Sequence, residues 1–153
     1  MDSDIKIIPA ELVHLEPIIK LLSDDPLGSQ REEYVLPLPD SYLNAFNRIS
    51  NDPSHHLMVL RQGEQVCGTF QLSIIPYLTY KGGKRAQLEA VRIRKDLRGQ
   101  GLGKKIIDWC VERAKVEEAH VLQLTTDKKR TDSIHFYESM GFISTHEGMK
   151  MHL

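Results

Sequence analysis

Between Arg98 and Lys104 the chain reads Arg-Gly-Gln-Gly-Leu-Gly-Lys, with three alternating glycines between cations. Glycine lacks a Cβ, so backbone N–H groups can converge on one point there. A helix starting at the same place adds unpaired first-turn donors and the positive end of its dipole. Arg98, Gly99, Gln100, Gly101, Leu102, Gly103 and Lys104 therefore make a cradle for a phosphate or pyrophosphate. Two well-known cradles do not fit. A P-loop needs Gly-x-x-x-x-Gly-Lys followed by Ser or Thr, but Arg98 stands at its first glycine and Lys105 at its hydroxyl. The dinucleotide pattern Gly-x-Gly-x-x-Gly fails because Gly99, Gly101 and Gly103 alternate, and no βαβ unit follows with a ribose-binding acid about 20 residues on. A glycine-rich turn with no ligand is the bland alternative.

The cradle lies between a strand pattern, Ala86 to Ile93, and the clearest helix pattern in the chain, Gly101 to Val116. There Leu102, Ile106, Cys110 and Ile107, Val111, Ala114 form adjoining apolar rows. Upstream, Ile5 to Ile8 reads as a strand. Leu12, Leu15, Ile18, Ile19 and Leu22 mark a helix in which Pro17 predicts a kink or break. Residues 28–40 show no period and read as a mobile loop, after which Asp40 or Ser41 caps a helix through Leu43, Phe46 and Ile49. His56 to Arg61, the turn Gln62-Gly63-Glu64 and Gln65 to Ile75 predict an antiparallel hairpin, linked to the next strand by the polar stretch Tyr77 to Arg85. Downstream come a strand (Val121 to Thr125), a helix (Thr131 to Met140) and short terminal strands at Phe142-Ile143 and Met149 to His152. Hairpins combined with a β–loop–helix–β unit predict one α/β (α+β) domain over 1–153, with a mixed, mostly antiparallel central sheet flanked by helices.

Net charge is -1 over 153 residues, which points to neither a nucleic-acid nor a membrane partner. Locally the balance differs: Lys81 to Lys105 holds nine Lys or Arg against two acids, Glu89 and Asp96, as expected of a segment facing an anionic ligand or of a solvated face. Cys67 and Cys110 lie in apolar segments and read as buried thiols in a reducing compartment. The acidic start of the chain lacks a signal-peptide pattern, and no run approaches the ~18 apolar residues of a membrane span, so the expected location is the cytoplasm. The seven histidines show no ligand spacing, and no metal site is expected.

Arg98, Gly101 and Gly103 also satisfy Arg/Gln-x-x-Gly-x-Gly/Ala, and Ser133 to Phe142 (SIHFYESMGF) is similar to Ala-x-x-Phe-Tyr-x-x-x-Gly-Phe with Ser133 for the small Ala. With both signatures, the chain resembles the GNAT superfamily of acetyl-CoA-dependent N-acetyltransferases, clearly over 86–145 and in topology before that. Leu88 to Ile93 resembles a strand of glucosamine-phosphate acetyltransferases, and Leu124 to Tyr137 resembles aminoalkylphosphonate acetyltransferases; neither identifies a substrate.

The resemblance implies acetyl-CoA as donor, its pyrophosphate on Arg98 to Lys104 and its pantetheine arm along Val91, Arg92 and Ile93. It implies direct transfer to a primary amine, of a small molecule first and of a protein or peptide as the alternative; a non-catalytic acyl-CoA-binding module is the remaining rival. It also implies a homodimer through terminal strands. Glu89, nine residues before Arg98, becomes a candidate general base, where many relatives use a water chain instead, or else a counter-charge for Arg92 or Arg94 or a residue facing solvent. Tyr137 becomes the candidate proton donor to the leaving thiolate, or else a packed helix tyrosine. Arg130 departs from the Asn of many relatives. With Lys128 and Lys129 it would hold a CoA phosphate or an anionic acceptor, or merely be solvated. The acceptor is expected between residues 28–40 and 77–85, near Glu32, Glu33, Tyr34, Tyr77 and Tyr80.

Overall fold

The structure, a computed structural model, describes residues 4–153. Five strands form one sheet in the order β1-β2-β3-β4-β5: β1 (Ile5–Pro9), β2 (His55–Gln62), β3 (Gln65–Pro76), β4 (Lys84–Ile93) and β5 (Ala119–Leu124). Pairing is antiparallel except between β4 and β5, which is the mixed, mostly antiparallel sheet that the patterning predicts.

Strand alternation gives the sheet two faces. On one, Met58, Leu60, Phe70, Leu72, Ile74, Ala86 and Leu88 pack under α5 (Leu102–Val116), whose Ile106, Ile107, Cys110 and Ala114 complete the main core. The helix α6 (Thr131–Ser139) leans on this core through Phe136 and Tyr137. On the other face Leu57 meets α1 (Leu15–Ser23) and α3 (Asp40–Ser50) through Leu15, Ile19 and Phe46. Away from those helices the same face is a polar floor. Gln71 stands opposite Glu89, and Ser73 opposite Gln87. His55 Nδ1 lies 2.8 Å from Ser73 Oγ, and Gln123 donates to Gln87 at 2.7 Å.

Several expectations are corrected. The first helix starts at Leu15 after a 3₁₀ turn (Leu12–His14), so Pro17 falls in its first turn, where no N–H is needed and no kink results. Helix α3 starts at Asp40 itself, with Pro39 at the cap position and no side-chain cap. The loop over 28–40 holds one helical turn, α2 (Gly28–Arg31). The link after β3 holds another short turn, α4 (Thr79–Gly82), with Tyr80 and Lys81 left-handed at φ 53° and 60°. The largest departure is at the end of the chain. Neither predicted terminal strand forms: residues 142–153 carry no regular secondary structure, and the sheet stops at β5.

The contact that sets α6 against α5 explains one glycine. A Cβ on Gly103 would lie 2.7 Å from the Phe136 ring. Gly103→Ala is therefore an overpacking change expected to cost about 1–3 kcal/mol, seen as a lower Tm that Phe136→Leu in the same chain partly restores. An unchanged Tm would show that the ring yields freely.

Candidate active site

The parallel ladder between β4 and β5 runs to Leu88↔Leu124 and stops. A bulge follows: Ala90 has φ 55°, and the register with β3 jumps from Gln71↔Glu89 to Thr69↔Arg92. Left-handed backbone at a non-glycine costs about 1–3 kcal/mol and tends to mark functional places. Here it keeps β4 on β3 while its β5-facing edge opens over 89–93. The Arg94 N–H donates to Cys67 C=O on β3 at 2.8 Å. By alternation the N–H and C=O groups of Val91 and Ile93 then face the opening. Both carbonyls are engaged, Val91's by Arg92 Nη1 at 2.8 Å and Ile93's by Arg98 Nε at 3.1 Å. The N–H groups of Val91 and Ile93 are left pointing into the gap.

The open edge leads through a 3₁₀ turn (Lys95–Leu97) to the glycine loop. Gly99 and Gly101 take φ 75° and 83°, and nothing lies within 4 Å of where their Cβ atoms would be. Gly101 is the N-cap of α5. The Lys105 N–H to Gly101 C=O bond, 3.2 Å, begins the helical ladder, so the Leu102, Gly103 and Lys104 N–H groups precede it and face outward from the helix start. The nearby cations are mostly spoken for. Arg94 is bidentate on Asp96 at 2.6 and 3.0 Å, Lys104 meets Asp108 at 2.6 Å, and Arg98 turns back to Ile93. What the loop offers an anion is thus backbone amides and the helix dipole rather than the side chains that make the segment basic.

Tyr137 sits in α6 between Phe136 and Phe142, ring centroids 5.2 and 5.6 Å away, and packs against the same core as Val91. Burial raises its phenol above the ordinary value, although the Arg92 charge pulls the other way, so the hydroxyl keeps its proton at neutral pH. Glu89 is exposed on the polar floor just before the bulge. It does not balance Arg92 or Arg94, which pair with Asp25 and Asp96. Cys67 and Cys110 are fully buried, and burial pushes the Cys110 thiol up to about 12, so neither supplies a thiolate.

Sequence reasoning missed a cluster formed by three distant segments. Asp25, in the α1–α2 turn, accepts a bond from Arg130 at the start of α6, and Arg92 Nε lies 3.7 Å from the same oxygen. Beside them Arg31 pairs with Asp127 at 3.0 Å. No local pattern announces this cluster. Of the basic trio only Arg130 turns inward; Lys128 is exposed and meets Glu147 at 3.8 Å. The residues expected to line the acceptor path are not brought together. Tyr77 lies under Arg85 at 4.2 Å and Tyr80 stacks on His120 at 4.7 Å, at the start of β4. The Tyr42 hydroxyl instead donates to Glu32 Oε1 at 3.1 Å and accepts the Glu33 backbone N–H at 2.9 Å, and Tyr34 packs beside α1 and α3. The polar floor separates the two groups.

Two grooves lie elsewhere, one between β1 and α5, the other between α1 and the β2–β3 turn. Among the described residues there is no group of three or more side chains that could hold a metal ion, and no helix long and apolar enough to cross a membrane.

Comparisons with known proteins bear on the family and the fold. A curated relative, aminoalkylphosphonate N-acetyltransferase of Salmonella typhimurium, is 29% identical over 96 residues, which are 62% of this chain and 61% of that protein. The chain thus spans about three fifths of that relative's length. The crystal structure of a transcriptional regulator from Bacillus halodurans C-125 superposes with a TM-score of 0.95 at 45% identity, covering 98% of this chain and all of that one. A predicted acetyltransferase from Clostridium acetobutylicum, solved with acetyl-CoA, shares the fold at a TM-score of 0.75 and 18% identity, over 97% of this chain and 96% of that one. Residues 16–142 match the family model described as the Acetyltransferase (GNAT) family. Over most of its length, then, the chain belongs to the GNAT family of acetyltransferases.

Proposed function

We propose that the protein moves an acetyl group directly from acetyl-CoA to a primary amine of a small molecule. The observation that carries this reading is the opened edge of β4, whose Val91 and Ile93 N–H groups run toward the glycine loop beside Tyr137. The residues fit the donor: the space around Gly99 and Gly101 is open, and the amides of Leu102 to Lys104 face outward. Acetyl-CoA supplies an activated acetyl thioester. The glycine loop would hold its pyrophosphate, and Val91 to Ile93 would receive the pantetheine arm as an added strand. One of the two strand amides then serves as the donor to the carbonyl oxygen as charge builds there.

Tyr137 holds a proton at its phenolic oxygen for the departing sulfur, whose thiolate has an ordinary pKa of about 8.5. An alkylammonium loses its proton only near ~10.4, so the Glu89 carboxylate takes that proton from the incoming amine. With both thiols buried and protonated, an acetyl-cysteine relay has no nucleophile, which supports direct transfer. The named activity of the Salmonella relative supports a small amine over a peptide as acceptor. The buried, unpaired thiols also fit the reducing cytoplasm as location.

Tyr137→Phe is expected to lower kcat at least tenfold with little change in acetyl-CoA affinity, measured by thiol release corrected for hydrolysis. Glu89→Gln should lower the rate most at neutral pH and recover it toward pH 10, where free amine no longer needs a base. A pH-independent loss would remove Glu89 from that role. Wild-type protein that binds acetyl-CoA but turns over neither an amine panel nor a peptide array would leave the binding-module reading standing.

We further infer that the chain is a homodimer. Ile143, Met149, Met151 and Leu153 are 81%, 93%, 84% and 115% exposed, and the last three alternate as on one face of a strand. Among the described residues, the outer edge of β5 has no strand beside it. A second copy offers both missing partners at once, by a reciprocal exchange of tails. Light scattering should give the dimer mass, and Met149→Lys with Met151→Lys should give the monomer. A monomeric wild type at micromolar concentration would refute the inference.

A further inference from the structure

The Asp25 cluster has more cation than its acids can satisfy. Asp25 Oδ1 accepts the Gly28 N–H, and its Oδ2 takes Arg130 Nη1 with Arg92 Nε at 3.7 Å. The Arg31–Asp127 pair alongside is complete in itself. Three guanidiniums therefore face two carboxylates, and the surplus lies where the Arg92 and Arg130 side chains are only 18% and 23% exposed. Arg92 Nε and Arg130 Nη2 are buried with no hydrogen-bond partner among the described residues. Orphaned donors on a half-buried surplus cation lack an anionic acceptor.

The position of the cluster decides which anion. Arg92 leaves β4 toward the α1–α2 turn, on the face that carries Glu89 and Gln71, whereas Val91 and Ile93 pack toward the α5 side. The glycine loop, at the N-terminus of α5, has its own donors for the cofactor's pyrophosphate. The bulge between them sets Glu89 and Arg92 opposite Gln71 and Thr69, two positions apart on β3 and so roughly 7 Å along the sheet, and an amine at the first and an anion at the second belong to one short molecule.

We propose that Arg92 and Arg130, held by Asp25, bind an oxyanion on the acceptor, so that the substrate is a short amine bearing a carboxylate, phosphonate or phosphate group. Planar guanidiniums suit such a group because they present paired donors to paired oxygens. The inference rests on the acetyl-transfer reading above, and it replaces the Lys128-Lys129-Arg130 trio by Arg92 with Arg130.

The test uses the full chain with acetyl-CoA and matched amines: 2-aminoethylphosphonate, O-phosphoethanolamine and β-alanine against ethanolamine, propylamine and 1,3-diaminopropane. At least one anionic amine should show a kcat/KM 100-fold above its neutral counterpart, and the three anionic probes rank the oxyanions. Arg130→Gln should cut that ratio at least tenfold, mainly through the amine KM, and Arg130→Lys should restore part of it. Arg92→Gln is the second variant if Arg130→Gln loses a cooperative melt. Preference for neutral or cationic amines, an unchanged ratio, or a change confined to the acetyl-CoA KM would overturn the proposal. If no amine is acetylated, calorimetric titration of 2-aminoethylphosphonate into CoA-loaded protein separates the two readings. Binding that Arg130→Gln abolishes keeps the oxyanion site and rejects transfer, while no binding rejects the site.

Discussion

The site depends on two strands that stop pairing. Had the β4–β5 ladder continued past Leu88↔Leu124, the amides of Val91 and Ile93 would be bonded to β5 and closed to any ligand. The left-handed Ala90 costs stability, but β3 still pairs with β4 at Arg92 and Ile93, and Arg92 and Arg98 satisfy the two carbonyls on the open edge. What is left is a pair of donors fixed on a rigid strand. Their orientation is set by folding rather than by the ligand, and donors already in place need no reorganisation as charge develops.

Gly99, Gly101 and Gly103 look alike in the sequence and are glycines for different reasons. Gly99 and Gly101 need left-handed backbone in open space, whereas Gly103 makes room for Phe136. One short motif thus sets the anion cradle and also docks the helix that carries Tyr137. The two signatures are linked by this contact.

What was legible in the sequence was local. The glycine loop, the hairpin, α5 and the Phe136-Tyr137 pair each lie within one segment, where period and turn chemistry decide the outcome. Pro17 misled because its effect depends on where the helix begins, and that start is set by the 3₁₀ turn before it. The charge count over the basic stretch ignores pairing: Lys104 meets Asp108 one turn on, beyond the stretch counted, and Arg94 meets Asp96 inside it. Asp25 was invisible, since its partners come from β4 and α6, far along the chain. Met149 to His152 reads as a strand in the sequence, yet it carries no regular structure, since no strand among the described residues pairs with it.

Direct transfer makes a stricter demand on the scaffold than a relay does. A covalent acetyl-enzyme can take the two substrates in turn, so their sites need only share a nucleophile. Without one, amine and thioester must be held together with reacting atoms about 3–3.5 Å apart. Both ends of this site are built on β4. The backbone of Val91 and Ile93 faces the open edge, while the side chains of Glu89 and Arg92 leave on the polar face. In the direct transfer proposed above, the distance between donor and acceptor would be set by the geometry of a single bulged strand held by β3. Loops carried on separate elements would have to close to achieve the same approach, and Cys110, buried and protonated, is no ready nucleophile for a relay.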